Sequence, residues 1–299
     1  MCPLTDQIEQ AFVRRGLSGK FLQLYLSPMI ARFVQSGCAD NNYLTEFQYG
    51  NDGQFWSRIW EAMLYGRFHY LGWSVSGRSS GPDLHLTAPT GPALVEATVP
   101  SPEGLPSEWL DRQPGRVYSM PHEQMLLRWT SSLYDKKEKH LEDISRGQAD
   151  ATMPFVIAIN SCRLSLHPEA YGITQWPFAV EATFPIGPLA VPVDRSTGKF
   201  GETYQSLRFS VNKRPDCPIP TDNFLDPDYV CVSALIGCAS CHADDATLAE
   251  FNDQPPYYLV YNPLATNPLP QNWLPGAIEY AAVESAPGEF TLTRLTPRT

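Results

Sequence analysis

Two acidic residues thirteen positions apart, Asp83 and Glu96, bracket the stretch of this 299-residue chain best suited to chemistry. Asp83 follows Gly81-Pro82 and opens Leu84-His85-Leu86, and Glu96 lies inside Leu94-Val95-Glu96-Ala97-Thr98-Val99. Between the two runs, Ala88-Pro89-Thr90-Gly91 supplies turn formers, so the segment reads as a β-hairpin. A turn centred between Pro89 and Thr90 sets Asp83 opposite Glu96 on neighbouring strands, near enough for the two carboxylates to share one divalent cation. A rigid, oxygen-rich seat suits a hard ion such as Mg²⁺, with Mn²⁺ as the alternative. Each acid also has a plainer expectation. Asp83 after Gly-Pro can cap a turn, and Glu96, as a strand carboxylate needing a partner, can pair with Arg128 or Lys136.

The flanking elements must position this hairpin. Phe55, Ile59, Met63, Leu64 and Phe68 recur at helical spacing and predict a helix over 55–68, interrupted by one acid, Glu61. Tyr70 to Ser76 reads as a short strand entered through Gly72. After a Pro/Gly-rich connector over 100–115, a long helix is expected from about Pro121 to Ser145, with Pro121 in its first turn and Gly147 as its stop. Pro154 to Asn160 is an apolar run typical of a strand buried on both faces. On the long helix Arg128 and Lys136 are eight residues apart, about two turns, and are expected on one face. Lys136 opens Lys136-Lys137-Glu138-Lys139, which by itself reads as a solvated helix face.

The order is therefore helix, strand, strand, strand, helix, strand. With an acid on the first helix, Pro82-Asp83 opening the second strand and Glu96 on the third, it resembles the core of the PD-(D/E)XK nuclease superfamily over roughly residues 55–160. The stretches Arg128 to Lys136 and Pro154 to Ile159, and Asn262-Pro263-Leu264-Ala265 with Pro268-Leu269, are similar to a group of uncharacterised bacterial proteins of that superfamily. The resemblance implies an α/β fold, a restriction-endonuclease-like αβββαβ core with a mixed central sheet. It implies a Mg²⁺-dependent endonuclease acting on nucleic acid, DNA in the first place. Asp83 and Glu96, with the carbonyl of Ala97, would hold the metal, and Glu61 would be a further ligand or an orienting group. The superfamily motif places a lysine two residues after the strand glutamate, where this chain has Thr98. Branches that carry the lysine on the following helix make Lys136 its counterpart, touching the scissile phosphate or the attacking water. Arg128 would clamp a non-bridging oxygen. A catalytically inactive member of the fold, serving as a binding or scaffold module, is the alternative that Thr98 supports.

Composition bounds these readings. Hydrophobic content of 43% with 12% aromatics marks a globular chain long enough to bury a full core. Residues 1–54 read as a helical preface, 55–160 as the nuclease-like core, and 161–299 as a mostly β, Pro-rich extension packed on it. That extension is expected to hold strands at Trp176–Val180, Leu189–Val193, Tyr229–Gly237, Tyr257–Tyr261 and Ala277–Val283. Of the net charge of −10, residues 215–299 carry −9, leaving the first 214 near neutral. No basic stripe announces nucleic acid, so affinity for it should be modest and metal-dependent; a protein partner or a second copy is compatible with the acidic third. No secretory signal, membrane span, Walker or Rossmann loop or Gly-x-Ser-x-Gly elbow is legible. Seven cysteines, an odd number, suit a reducing cytoplasm. Cys238-Ala239-Ser240-Cys241-His242 matches a haem-attachment pattern and opens a rival reading as a thiol or metal protein, with Cys231 or Asp244 as extra donors. Buried core thiols are its plainer meaning.

Overall fold

Asn51 starts the first helix of the expected core. Its side chain accepts a hydrogen bond from Gln54 N, and Gln54 Oε1 accepts one from Asn51 N, both at 3.0 Å, which satisfies two helix-end donors reciprocally. The computed structural model describes residues 3–19, 22–77, 80–113, 115–165, 171–240, 257–287 and 289–295. Helices α1 (Pro3–Arg14), α2 (Ser27–Gln35), α3 (Tyr43–Tyr49) and α4 (Asp52–Tyr70) precede strands β1 (Ser74–Gly77), β2 (Leu84–Ala88) and β3 (Gly91–Thr98). A short helix α5 (Ser107–Leu110) and the long α6 (His122–Ser145) lead to β4 (Phe155–Asn160). Gly72 and Gly147, at φ +74° and +69°, end α4 and α6 in the left-handed region that L side chains avoid.

Beyond β4 come α7 (Phe178–Glu181), β5 (Ile186–Ala190), β6 (Tyr204–Leu207), β7 (Ser210–Arg214), β8 (Cys217–Pro220), β9 (Ala234–Cys238), β10 (Tyr258–Tyr261), β11 (Ile278–Ala286) and β12 (Glu289–Arg294). One mixed eight-stranded sheet runs in the order β1-β2-β3-β4-β9-β10-β11-β12. Its first three strands are antiparallel, and β3, β4 and β9 are parallel. The parallel β3/β4 step requires a crossover, which α6 supplies. Because β9 pairs with β4, the strands of residues 234–294 lie in the same sheet as the hairpin. The fold is thus mixed α/β.

Two apolar cores sandwich the sheet. Helices α1 to α4 cover one face, where Trp60 packs and its Nε1 donates to Ala158 O at 2.9 Å. Helices α6 and α7 cover the other, around Trp129, Phe155 and Phe178. All six residues of β4 are buried, as a strand covered on both faces demands. The expected strand at Trp176–Val180 is instead helical, as α7 entered through Pro177; so short a buried run carries no periodicity that separates helix from strand. Leu189–Val193 overlaps β5, which pairs with β6 outside the main sheet. Among the described residues, no helix is long and apolar enough to cross a membrane.

Candidate active site

The hairpin register decides whether Asp83 meets Glu96. Ala88 pairs with Gly91 across a two-residue Pro89-Thr90 turn, and Leu84 pairs with Val95. One step further along this ladder sets Asp83 against Glu96. Side chains alternate along each strand, and Leu84, Val95 and Ala97 enter the core under α1 to α4. Glu96 therefore points the other way, toward α6, and is 2% exposed. Asp83 is fastened to the partner strand, its Oδ2 accepting from Ala97 N at 2.7 Å.

Two lysines close over this pair from α6. Lys136 Nζ donates to Glu96 Oε1 at 2.6 Å, and Lys139 Nζ to Glu96 Oε2 at 3.0 Å. Lys139 also reaches Asp143 Oδ2 at 3.0 Å and Gly81 O at 3.2 Å. Each residue turns a helix by about 100°, so Lys136 and Lys139 share a face while Lys137 does not. Lys137 instead pairs with Glu138 at 2.6 Å and lies over the Tyr134 and Tyr229 rings.

Glu61 approaches from α4, on the opposite side of the sheet. It is buried and accepts from Arg58 Nη1 at 2.9 and 3.0 Å. Arg58 is shared with Glu46 at 2.6 Å and Asp40 at 2.9 Å. Burial, then the nearby charge of Asp83, push the Glu61 carboxyl up to about 8. Burial and Glu96 push Asp83 up to about 6, against the pull of Lys136. Burial works against the Lys136 and Lys139 ammonium groups too, but Glu96 and its acidic neighbours outweigh it and hold both pKa values above the ordinary lysine value. Among the described residues, six acidic side chains, Asp40, Glu46, Glu61, Asp83, Glu96 and Asp143, thus share three cations, Arg58, Lys136 and Lys139.

The donors suit a hard cation in type, since Mg²⁺ is commonly held by one or two carboxylates plus water. Among the described residues, however, no three His, Cys, Asp or Glu side chains converge as a single ligand group. Glu61 is drawn to Arg58, one helical turn away, and both Glu96 oxygens carry a lysine. Arg128 is not brought to the cluster. Eight residues separate it from Lys136, about 12 Å of helix with roughly 80° of residual rotation. It lines a cavity of about 490 Å³ with Tyr134, Lys137 and Lys213. Glu96 is neutralised by Lys136 and Lys139, not by Arg128. Sequence reasoning missed Lys139, Arg58 and Asp143; their signal was helical spacing, three residues from Lys136, three from Glu61 and four from Lys139.

The rival thiol motif falls partly outside the described residues, where Cys241, His242 and Asp244 lie. Cys238 is buried and its thiol is pushed up to about 12 by that burial, an unreactive state. Cys38, Cys217, Cys231 and Cys238 are free thiols.

No family model, curated protein or solved structure matches the chain.

Proposed function

We propose that this chain is a metal-dependent nuclease of the PD-(D/E)XK type, hydrolysing phosphodiester bonds of DNA on a restriction-endonuclease-like core formed by α4, β1 to β3, α6 and β4. The observation that carries the reading is the Asp83–Glu96 pair at the end of the hairpin with the Lys136 ammonium 2.6 Å from Glu96. Asp83 and Glu96 would hold Mg²⁺, which when bound supplies charge to polarise a phosphoryl oxygen and acidify a water. Lys136 would bind the scissile phosphate and stabilise its added charge in the transition state. Glu61, held by Arg58, would orient the ligand shell without entering it. The helix lysine takes the place that Thr98 cannot fill.

A second reading, an inactive binding or scaffold module of the same fold, is favoured by one observation: both Glu96 oxygens are already satisfied by lysines. Cleavage of linear, supercoiled and single-stranded DNA and of RNA, with Mg²⁺ or Mn²⁺, separates the two. The nuclease reading expects wild-type cleavage that Asp83→Ala and Glu96→Ala both lose. Folded wild type that cuts none of these substrates would leave the binding module.

A further inference from the structure

We propose that Lys139 is a displaceable counter-cation, occupying Glu96 until a divalent ion arrives and then withdrawing onto Asp143. The inference rests on the metal-nuclease reading and deepens it, by giving the site a way to admit its ion.

Glu96 has two carboxylate oxygens, and in this structure each accepts from an ammonium group, Lys136 on Oε1 and Lys139 on Oε2. A divalent ion can use Glu96 only if one lysine leaves. The two are not equally free to do so. The Lys136 side chain is 23% exposed and its hydrogen bond goes to Glu96 alone, so its departure would strand an ammonium group in a largely buried place. The Lys139 side chain is 39% exposed and keeps two other acceptors if it lets go, Asp143 Oδ2 at 3.0 Å and Gly81 O at 3.2 Å. Asp143 stands one helical turn beyond Lys139, the spacing at which such pairs form on a helix without rearrangement. Its side chain is only 7% exposed, so it too needs a cation whichever way Lys139 turns. Lys139 therefore exchanges a three-acceptor state for a two-acceptor state, and Glu96 Oε2 becomes available. Lys136 stays where the phosphate would arrive. The neighbouring His140 adds no rival charge, because burial against Phe155 lowers its pKa to about 4.

Titration of the full-length protein with Mn²⁺ by calorimetry tests this, with Asp83→Ala as the variant that must lose binding. Lys139→Met, or Lys139→Gln as a second uncharged variant, is expected to bind Mn²⁺ about five- to tenfold more tightly than wild type, since the competing cation is gone. Asp143→Asn is expected to weaken binding in the wild-type background and to do nothing in the Lys139→Met background. That dependence on background distinguishes the exchange from a structural or simple Coulombic role of Asp143, which would act in both. Unchanged or weaker binding by both Lys139 variants, or an equal Asp143→Asn effect in the two backgrounds, would overturn the proposal while leaving the metal site standing. Absence of Mn²⁺ binding by wild type and by both Lys139 variants would remove the metal reading and this inference together.

Discussion

Lys136 lies 2.6 Å from Glu96 although forty residues separate them, the strand residue reached across the sheet face by a helix that forms later in the chain. The contact joins a buried carboxylate to a cation from another element, the residue two positions further along its own strand being Thr98. Because Lys139 shares the same carboxylate, each lysine has a separable role, and the expectations that follow differ for each.

Lys136→Ala should lose turnover while retaining Mn²⁺ binding. Glu96 keeps Lys139, so the stability cost should be about 1–3 kcal/mol, the range for one charged hydrogen bond lost at a buried acceptor. Single-turnover cleavage, Mn²⁺ titration and urea denaturation read the three quantities. Loss of ion binding in step with turnover would mean that Lys136 holds the carboxylates in place instead.

Glu96→Ala should be the most damaging change in the cluster, because it strands the Lys136 ammonium group and leaves Lys139 only Asp143 and Gly81 O. Removal of one side of a buried pair costs about 3–5 kcal/mol. Glu96→Gln retains the volume and should unfold at higher urea than Glu96→Ala, yet bind no divalent ion. A Glu96→Ala midpoint equal to wild type would show that the pair contributes nothing to folding.

The contribution of Asp83 and Glu61 to stability should fall as pH rises, while His140, whose pKa burial lowers to about 4, works the other way below about pH 6.5. Asp83 and Glu61 are carboxyls whose folded pKa values, about 6 and about 8, lie above their ordinary values, so the folded state holds its protons longer than the unfolded chain does. Below about pH 4 both states are protonated and the contribution is fully favourable; it declines as pH climbs through about 6 for Asp83 and about 8 for Glu61. Glu61→Gln should flatten the upper part of this decline, and Mg²⁺ should raise the thermal midpoint more at pH 8 than at pH 5. Thermal melts across that range check all three, and a midpoint that rises steadily from pH 5 to 8 without Mg²⁺ would contradict the assignment.

Gly81→Ala should disturb the site from outside it. Gly81 has φ +84°, and a Cβ there would lie 2.5 Å from Gln148 O, so the lead-in to β2 must shift. That segment carries Asp83 and the carbonyl that Lys139 uses. A loss of at least about 1 kcal/mol, with weaker Mn²⁺ binding, is expected from urea unfolding and ion titration.

Much of the local structure was legible from residue order. Alternating apolar residues around Pro89-Thr90 set the hairpin and hence the Asp83–Glu96 register, because a one-residue slip would have turned Leu84 and Val95 out of the core. Helix α6 follows from its Pro121 and Gly147 ends, and the buried β4 from an unbroken apolar run. Trp176–Val180 was read as a strand and is helical, since a run of that length buried on all sides fits either. The continuation of the sheet through β9 to β12 is a matter of long-range pairing, which no local pattern encodes.

The sequence by itself determined which residues are acids on the hairpin, that they face each other, and that a helix rich in lysine follows. Only the tertiary structure decided which lysines reach Glu96, that Arg128 faces a separate cavity and that Arg58 holds Glu61 back from the pair. It also decided that, among the described residues, six acidic side chains share three cations. The reason is physical: strand register and helix phase are local and repeat in sequence. The rotation of α6 against the sheet, and the sharing of charge among four separate elements, are set by packing between surfaces far apart in the chain.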